Sequence, residues 1–278
     1  MSSTVAAPAP RLRIRRATPD DAVTIAKVHF EAFLPGVMGR LLNPTGVSED
    51  ARAKFAGSIF PPADKAAEEQ SAEVIVMVAE LEEDGGGDPV IVAFAKWKLV
   101  RKQQPREEWE KEGEEPMTEE QLGQGANAAV YNEFIGGLHR MRKRWMKGEP
   151  SLREFLSPPN RQTGRGLPDK HHTDLGILAA TPTRHRLGAG SALLKWGCEL
   201  ADRENKTAWL EASPAGYSLY RKFGFEPVEV ADLKLTELWG AVKSAEDENW
   251  GAASAVELGG LPEGSFRSVM MRRLPKTS

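Results

Sequence analysis

Leu178-Ala179-Ala180-Thr181-Pro182-Thr183-Arg184-His185-Arg186-Leu187-Gly188-Ala189-Gly190-Ser191 runs from an apolar strand into an amphipathic helix through a loop of glycines and cations. Ala192, Leu193, Trp196, Gly197 and Leu200 follow at helical spacing, so the helix lays one face on a sheet. The first N–H groups of a helix have no partner inside it, and glycines let an anion approach them without a Cβ in the way. A phosphate or diphosphate suits such a junction, and Arg184 and Arg186 add charge beside it. No Gly-Lys-Ser/Thr follows, which excludes a Walker loop. Leu193 stands where a dinucleotide-binding fingerprint needs its third glycine.

Working outward, the C-terminal side reads as strand Thr207–Glu211, helix Pro214–Phe223 and a strand from Phe225, an α/β unit with parallel strands. A last strand covers Ser268–Arg273, after a weakly patterned stretch from Ala231. On the N-terminal side, Asp174–Ala180 is a strand, and Arg11–Arg16 opens the ordered chain with the alternation Leu12, Ile14. Thr18-Pro19-Asp20-Asp21 starts a helix whose face is Ala22, Ile25, Ala26, His29, Ala32 and Phe33, and Pro35-Gly36 stops it. A second helix spans Ser48–Phe60. Val74–Ala79 and Val90–Ala95 form an antiparallel hairpin across the glycine turn Asp84–Asp88. Residues 101–170 break this rhythm. Within them Thr118 and Gln121 form a capping box that opens one long helix to Trp145, with Arg142, Lys143, Arg144 and Lys147 favouring its negative end.

A chain of 278 residues with 40% apolar residues can fill one embellished core: a disordered arm 1–10, then a single domain 11–278 with an insertion at about 101–170. A formal charge of −3 supplies no bulk basic field, so nucleic acid is not expected as a partner. No apolar run reaches the roughly 20 residues of a membrane span. The lone Cys198 excludes a disulfide framework and reads as a small core residue; with no secretory signal in view, the expected compartment is the cytoplasm.

Ala180-x-Pro182-x-x-His185-x-x-Gly188-x-Gly190 resembles the acetyl-CoA motif Val-x-Pro-x-x-Gln/Arg-x-x-Gly-x-Gly/Ala of the GCN5-related N-acetyltransferase (GNAT) superfamily, with alanine for valine and His185 for Gln/Arg. Leu219-Tyr220-Arg221-Lys222-Phe223-Gly224-Phe225 resembles the family's Leu-Tyr-x-Lys-x-Gly-Phe stretch. The resemblance covers the order of elements from Leu12 to about Val230. It implies the GNAT fold, a mixed, mostly antiparallel sheet splayed between its fourth and fifth strands and flanked by helices, here with a helical insertion.

The resemblance further implies acetyl-CoA as co-substrate and transfer of its acetyl group to a primary amine by direct attack in a ternary complex. Leu178, Ala179 and Ala180 would meet the pantetheine amides and polarise the thioester carbonyl. His185, Arg186, Leu187, Gly188, Ala189, Gly190 and Ser191 would hold the diphosphate. Tyr220 matches the tyrosine that gives a proton to the departing thiolate, a task suited to a neutral phenol. For the base, candidates are Asp174 on the fourth strand, Glu211 at the mouth of the splay where burial would make it a stronger base, His172 and Glu31. His171-His172 reads as a polar loop, and no metal is expected.

The acceptor is expected to be a small amine, its pocket shaped by the insertion and by Phe33–Pro44. A protein lysine or N-terminus is the alternative if the groove is open, and a non-catalytic acyl-CoA-binding module the alternative in another class. The apolar stripe of the long helix suits either the domain itself or a second copy of the chain, so a homodimer stays open.

Overall fold

The computed structural model describes residues 11–60, 72–82, 87–111, 115–154, 177–243 and 249–276. The arm 1–10, residues 84–86 of the glycine turn, the segment Ser157–Lys170, and His171, His172 and Asp174 lie outside the described residues.

β1 (Arg11–Arg16) pairs antiparallel with β2 (Ala72–Glu82), and β2 with β3 (Val90–Val100). The hairpin strands are longer than their apolar runs because Lys96 and Lys98 continue β3 while buried. Between β1 and β2 the chain passes through a short turn of helix capped by Thr18 and Asp21, then α1 (Ala22–Phe33), α2 (Val37–Leu42) and α3 (Glu49–Ser58). Ser48 caps α3 by accepting the Ala51 N–H at 3.1 Å. The stretch Phe33–Pro44, for which the sequence gives no helix, contains α2: Val37 and Met38 are buried against Val130 of the insertion, contacts that local sequence does not announce.

The insertion contains α4 (Arg106–Trp109), α5 (Glu119–Leu122) and α6 (Ala128–Trp145). The expected single helix from Thr118 is therefore two. The capping box is present, Gln121 N–H donating to Thr118 Oγ1 at 3.3 Å, but it opens one turn only. Gly123 then takes φ +118°, where a Cβ would stand 2.4 Å from Ala51 Cα, so the chain turns where only glycine fits. α6 starts afresh under Asn127, whose Oδ1 accepts the Val130 N–H at 3.2 Å.

After α6 come β4 (Ser151–Glu154) and β5 (Ile177–Ala180). β4 lies against Trp97–Val100 of β3 and β5 against Ala93–Lys96, both antiparallel, so the two run end to end along one edge. The insertion therefore does not stop ahead of the fourth strand position: it supplies that strand's first half.

The chain continues through α7 (Ala189–Arg203), β6 (Thr207–Ala212), α8 (Tyr217–Lys222), β7 (Glu226–Lys234), α9 (Leu235–Trp239), α10 (Ala252–Leu258) and β8 (Ser265–Arg273). Among the described residues the sheet order is β1-β2-β3-β4-β6-β8-β7, with β5 beside β3. The expectation of a parallel unit holds only for β4 and β6; β8 enters between β6 and β7, antiparallel to both. Intervening helices suggested parallel neighbours, but pairing partners depend on the last strand, remote in sequence.

One face of the sheet is covered by α7 and α8 through Leu193, Leu194, Tyr217 and Tyr220. Gly197 of α7 lies on Trp97: a Cβ there would be 2.3 Å from the indole ring, so this close helix–sheet contact requires glycine. Cys198 lies in the same core, and burial pushes its thiol up to about 11. The opposite face is covered by α1 and α3 over β2, β3 and β5, and by α6 over β6 and β8. Among the described residues no helix is long and apolar enough to cross a membrane.

Candidate functional site

The site begins where two strands part. β4 and β6 pair parallel from Ser151↔Thr207 to Arg153↔Trp209, whereas β5, which continues the line of β4, pairs with β3 alone among the described residues. The sheet thus opens between β5 and β6. Thr181 N–H donates to Val92 O at 2.8 Å across the β3 side. Backbone groups alternate along a strand, so the N–H and C=O of Leu178 and Ala180 point into the opening, while those of Ala179 face β3.

The loop after β5 leads from the opening to α7. Pro182–Arg184 make one tight turn, Arg186 takes φ 69° and Gly188 takes φ 83° as N-cap of α7. The first described bond into the helix is Ala192 N–H to Gly188 O at 2.9 Å, so the N–H groups of Ala189, Gly190 and Ser191 have no partner within α7. Thr183 to Gly188 are exposed, and a Cβ on Gly188 would meet no atom within 4 Å. These amides stand at a positive helix end, an arrangement that suits an anion. A left-handed arginine is uncommon and costs about 1–2 kcal/mol, which the turn sustains while bringing its amides round. His185 does not turn toward those amides: its Nε2 lies 3.4 Å from Ala180 O, bracing the loop against the end of β5.

Tyr220 sits on α8, at the C-terminal end of β6, 6% exposed and edge-on to Phe225 with ring centroids 6.0 Å apart. Gly216 makes room for it, since a Cβ there would be 2.6 Å from Tyr220 Cε2. The neighbouring Leu219 reaches the start of α7, 4.0 Å from where a Cβ on Gly190 would stand, so the two resemblance motifs are adjacent in space. Tyr217 on the same helix is committed elsewhere: its hydroxyl donates to Glu257 Oε2 at 2.6 Å, and burial, with that bond, pushes the phenol above its ordinary range.

On the opposite face of the opening, Glu211 is not a free carboxylate. Arg142 of α6 donates to both its oxygens, Nε to Oε1 and Nη2 to Oε2, each at 2.6 Å, with side-chain exposures of 4% and 7%. Burial was expected to make Glu211 a stronger base; the guanidinium instead occupies the lone pairs a base would need. Arg142, expected only to favour the negative end of the helix, shares the inward side of α6 with Leu138 and Met141, and that period is the sequence signal for its burial. Glu31 is at the surface near Lys27, Nζ to Oε1 3.9 Å. Ser151 and Arg153 of β4 and His139 of α6, none singled out by sequence, line a cleft beside Arg142.

His29, on the inner side of α1, stacks on Phe55 at 4.0 Å beside Phe30, Phe33 and Phe94. Its Nδ1 is buried without a hydrogen-bond partner among the described residues, and burial lowers its pKa from 6.5 to about 3. The unfolded chain then takes up a proton that the folded one refuses, so stability contributed here is full above pH 6.5 and is lost as pH falls toward 3. His29→Phe is expected to flatten the pH dependence of stability in that window by up to about 1.4 kcal/mol per pH unit, read from urea midpoints at intervals from pH 7 to pH 4. Parallel curves for the two proteins would show a hydrated ring instead.

No protein-family model matches the chain, and no curated protein does. Solved structures do. Mosquito arylalkylamine N-acetyltransferase like 5b aligns with a TM-score of 0.51 at 13% identity, over 95% of this chain and 100% of that one. Drosophila melanogaster polyamine N-acetyltransferase gives 0.46 at 10% identity over 95% and 100%. The ribosomal-protein-alanine N-acetyltransferase of Brucella melitensis gives 0.42 at 14% over 94% and 99%.

Proposed function

We propose that this chain, which has the GNAT fold, is an acyltransferase that moves an acetyl group from acetyl-CoA to a primary amine of a small molecule, by direct attack with both substrates bound. The observation that carries the reading is the set of amides at Gly188–Ser191, without partners within α7, at the end of the loop that leads from the opening between β5 and β6. The residues present fit a coenzyme A diphosphate: among the described residues no atom would lie within 4 Å of a Cβ on Gly188, and the exposed Arg186 belongs to the turn.

In this reading the N–H groups of Gly188, Ala189, Gly190 and Ser191 hold the diphosphate, with His185 bracing the loop and Leu187 continuing it. The edge groups of Leu178 and Ala180 pair with the pantetheine amides, and an N–H of this edge donates to the thioester oxygen as charge grows on it. Ala179 contributes by packing, with Phe94 and Ile177 beneath it. The amine nitrogen attacks the carbonyl carbon, the carbon–sulfur bond breaks, and Tyr220 O–H gives its proton to the sulfur. Glu211 acts as a positioning residue for Arg142, and Asp174 is the carboxylate we assign to the ammonium proton. In this reading α2 and α6, which pack together, wall the acceptor pocket, which favours a small acceptor over a polypeptide.

The test follows thiol release from acetyl-CoA against an amine panel, with coenzyme A binding measured separately by calorimetry. Tyr220→Phe is expected to lower kcat by about 10²-fold with coenzyme A affinity unchanged. Equal turnover in the variant would remove Tyr220 as the acid, and no heat with coenzyme A would end the reading.

A further inference from the structure

The long helix of the insertion carries a phenol that the mechanism above does not use. Met146, just past α6, and Ser151, at the start of β4, line one cleft; Ser151 pairs with Thr207 at the start of β6, and Arg142 reaches Glu211 near the end of that strand. α6 therefore runs back along β6. Its N-terminal half extends past the β4–β6 pairing, over the part of the sheet that has opened.

Tyr131 stands in that half. Eleven residues make three helical turns and about 20° more, so Tyr131 and Arg142 share one stripe of α6, about 16 Å apart along its axis. Leu138 lies between them, and Tyr131 packs against the cluster of Ile135, Leu138, Trp209 and Met270, so the stripe faces the sheet beside β6. Helical side chains lean toward the start of the helix, which carries the Arg142 guanidinium up the stripe toward the phenol. The two groups interact: burial pushes the Tyr131 phenol above its ordinary range, and the Arg142 charge pulls it the other way.

The Tyr131 ring is half-buried, and its hydroxyl makes no hydrogen bond to a described residue. An enclosed phenol ordinarily has a partner, as Tyr217 has in Glu257. The level on the sheet is also right. Leu178 stands three residues along β3 from Arg153, and Glu211 two residues along β6 from Trp209, the partner of Arg153. Glu211 and Leu178 are thus within about one residue, roughly 3 Å, of the same level across the opening. Tyr220 and the diphosphate loop lie with α7 and α8 on the other face, which leaves the α6 face to the acceptor.

We infer that Tyr131 is an acceptor-binding residue: its hydroxyl oxygen accepts a hydrogen bond from the attacking amine and turns the nitrogen lone pair toward the thioester carbon. The inference rests on the acetyltransferase reading and adds to it the group that orients the acceptor. Tyr131 neither gains nor loses a proton; Asp174 keeps the ammonium proton in that reading, and Tyr220 supplies the sulfur.

Tyr131→Phe removes one oxygen and keeps the ring in its cluster. With the full chain, acetyl-CoA, and propylamine, phenethylamine and spermidine as acceptors, the variant is expected to lower kcat/KM for the best acceptor about tenfold, the loss of one hydrogen bond. Its coenzyme A affinity by calorimetry is expected to stay unchanged. A second readout uses the parent protein. The chain has three tyrosines, so 3-fluorotyrosine gives three fluorine signals, assigned through the phenylalanine variants. Adding the acceptor to the coenzyme A complex is expected to shift the Tyr131 signal and to leave that of Tyr217, tied to Glu257, in place.

Parent kcat/KM in Tyr131→Phe, or a Tyr131 signal that no acceptor moves, would overturn the inference, with thiol release from acetyl-CoA keeping acetyl transfer standing. Where no amine turns over, or where the urea midpoint of the variant falls, the fluorine signal read with each amine in turn decides. No heat with coenzyme A would end the acetyltransferase reading, and this inference with it.

Discussion

Glu211→Leu is expected to cost about 3–5 kcal/mol of folding stability, and Arg142→Met a similar amount. The two side chains are buried on each other, and either single change leaves a charge in a poorly solvated place with its partner gone. The double variant Arg142→Met/Glu211→Leu should recover most of the loss, since similar apolar volume replaces both charges against Leu138, Met141 and Trp209. Urea unfolding followed by tryptophan fluorescence measures this, with a changed midpoint at constant slope as the sign of a pure stability effect. In a chain of this size the single variants should melt roughly 10 °C lower. A loss below about 1 kcal/mol, the range of surface pairs, would mean that water reaches the pair and that α6 is not held to β6 by it. Activity in the double variant separates positioning from stability: a refolded protein that turns over poorly places Arg142 at the acceptor.

Gly188→Val is expected to weaken coenzyme A binding by about 10²-fold or more, and to do so with the fold retained. At φ 83° a β-branched residue is strained, which costs on the order of 2 kcal/mol. Among the described residues no atom lies within 4 Å of the new Cβ, so they present no clash to relieve. The added atoms instead occupy the space an anion needs to reach the amides, and each charge-assisted hydrogen bond lost weakens binding by about 1.5–3 kcal/mol. Calorimetry with coenzyme A reads the effect, and Gly190→Ala is the graded comparison, because its Cβ would make ordinary contact with Leu219 at 4.0 Å. Unchanged affinity in Gly188→Val would place the diphosphate elsewhere.

The sequence made the cradle legible because its causes are local. Thr181-Pro182 sets the turn, Gly188 takes the left-handed conformation that ends it, and the apolar spacing from Leu193 to Leu200 carries the helix. Tyr220 was legible for the same reason, its register being tied to Gly224-Phe225. His29 was legible as an inward residue of α1, but not as a neutral ring, since that depends on Phe55 and Phe94 arriving from two other elements. Local reasoning went astray where glycine meets another element: Gly123 breaks a continuous helical pattern because Ala51 of α3 lies against it.

What the amino-acid order by itself determined is β1, α1, α3, the β2–β3 hairpin, β5, α7, β6 and α8, with the loop that carries Gly188, since caps, apolar periods and turn residues act within a few residues. Only the tertiary structure decided that β4 and β5 make one strand line from two segments, that β8 lies between β6 and β7, and that Arg142 reaches Glu211 from 69 residues away. Strand pairing and buried ion pairs draw their energy from surfaces that meet only after the chain has closed long loops. No periodicity within one segment encodes which partner, of several with compatible faces, is the one brought alongside.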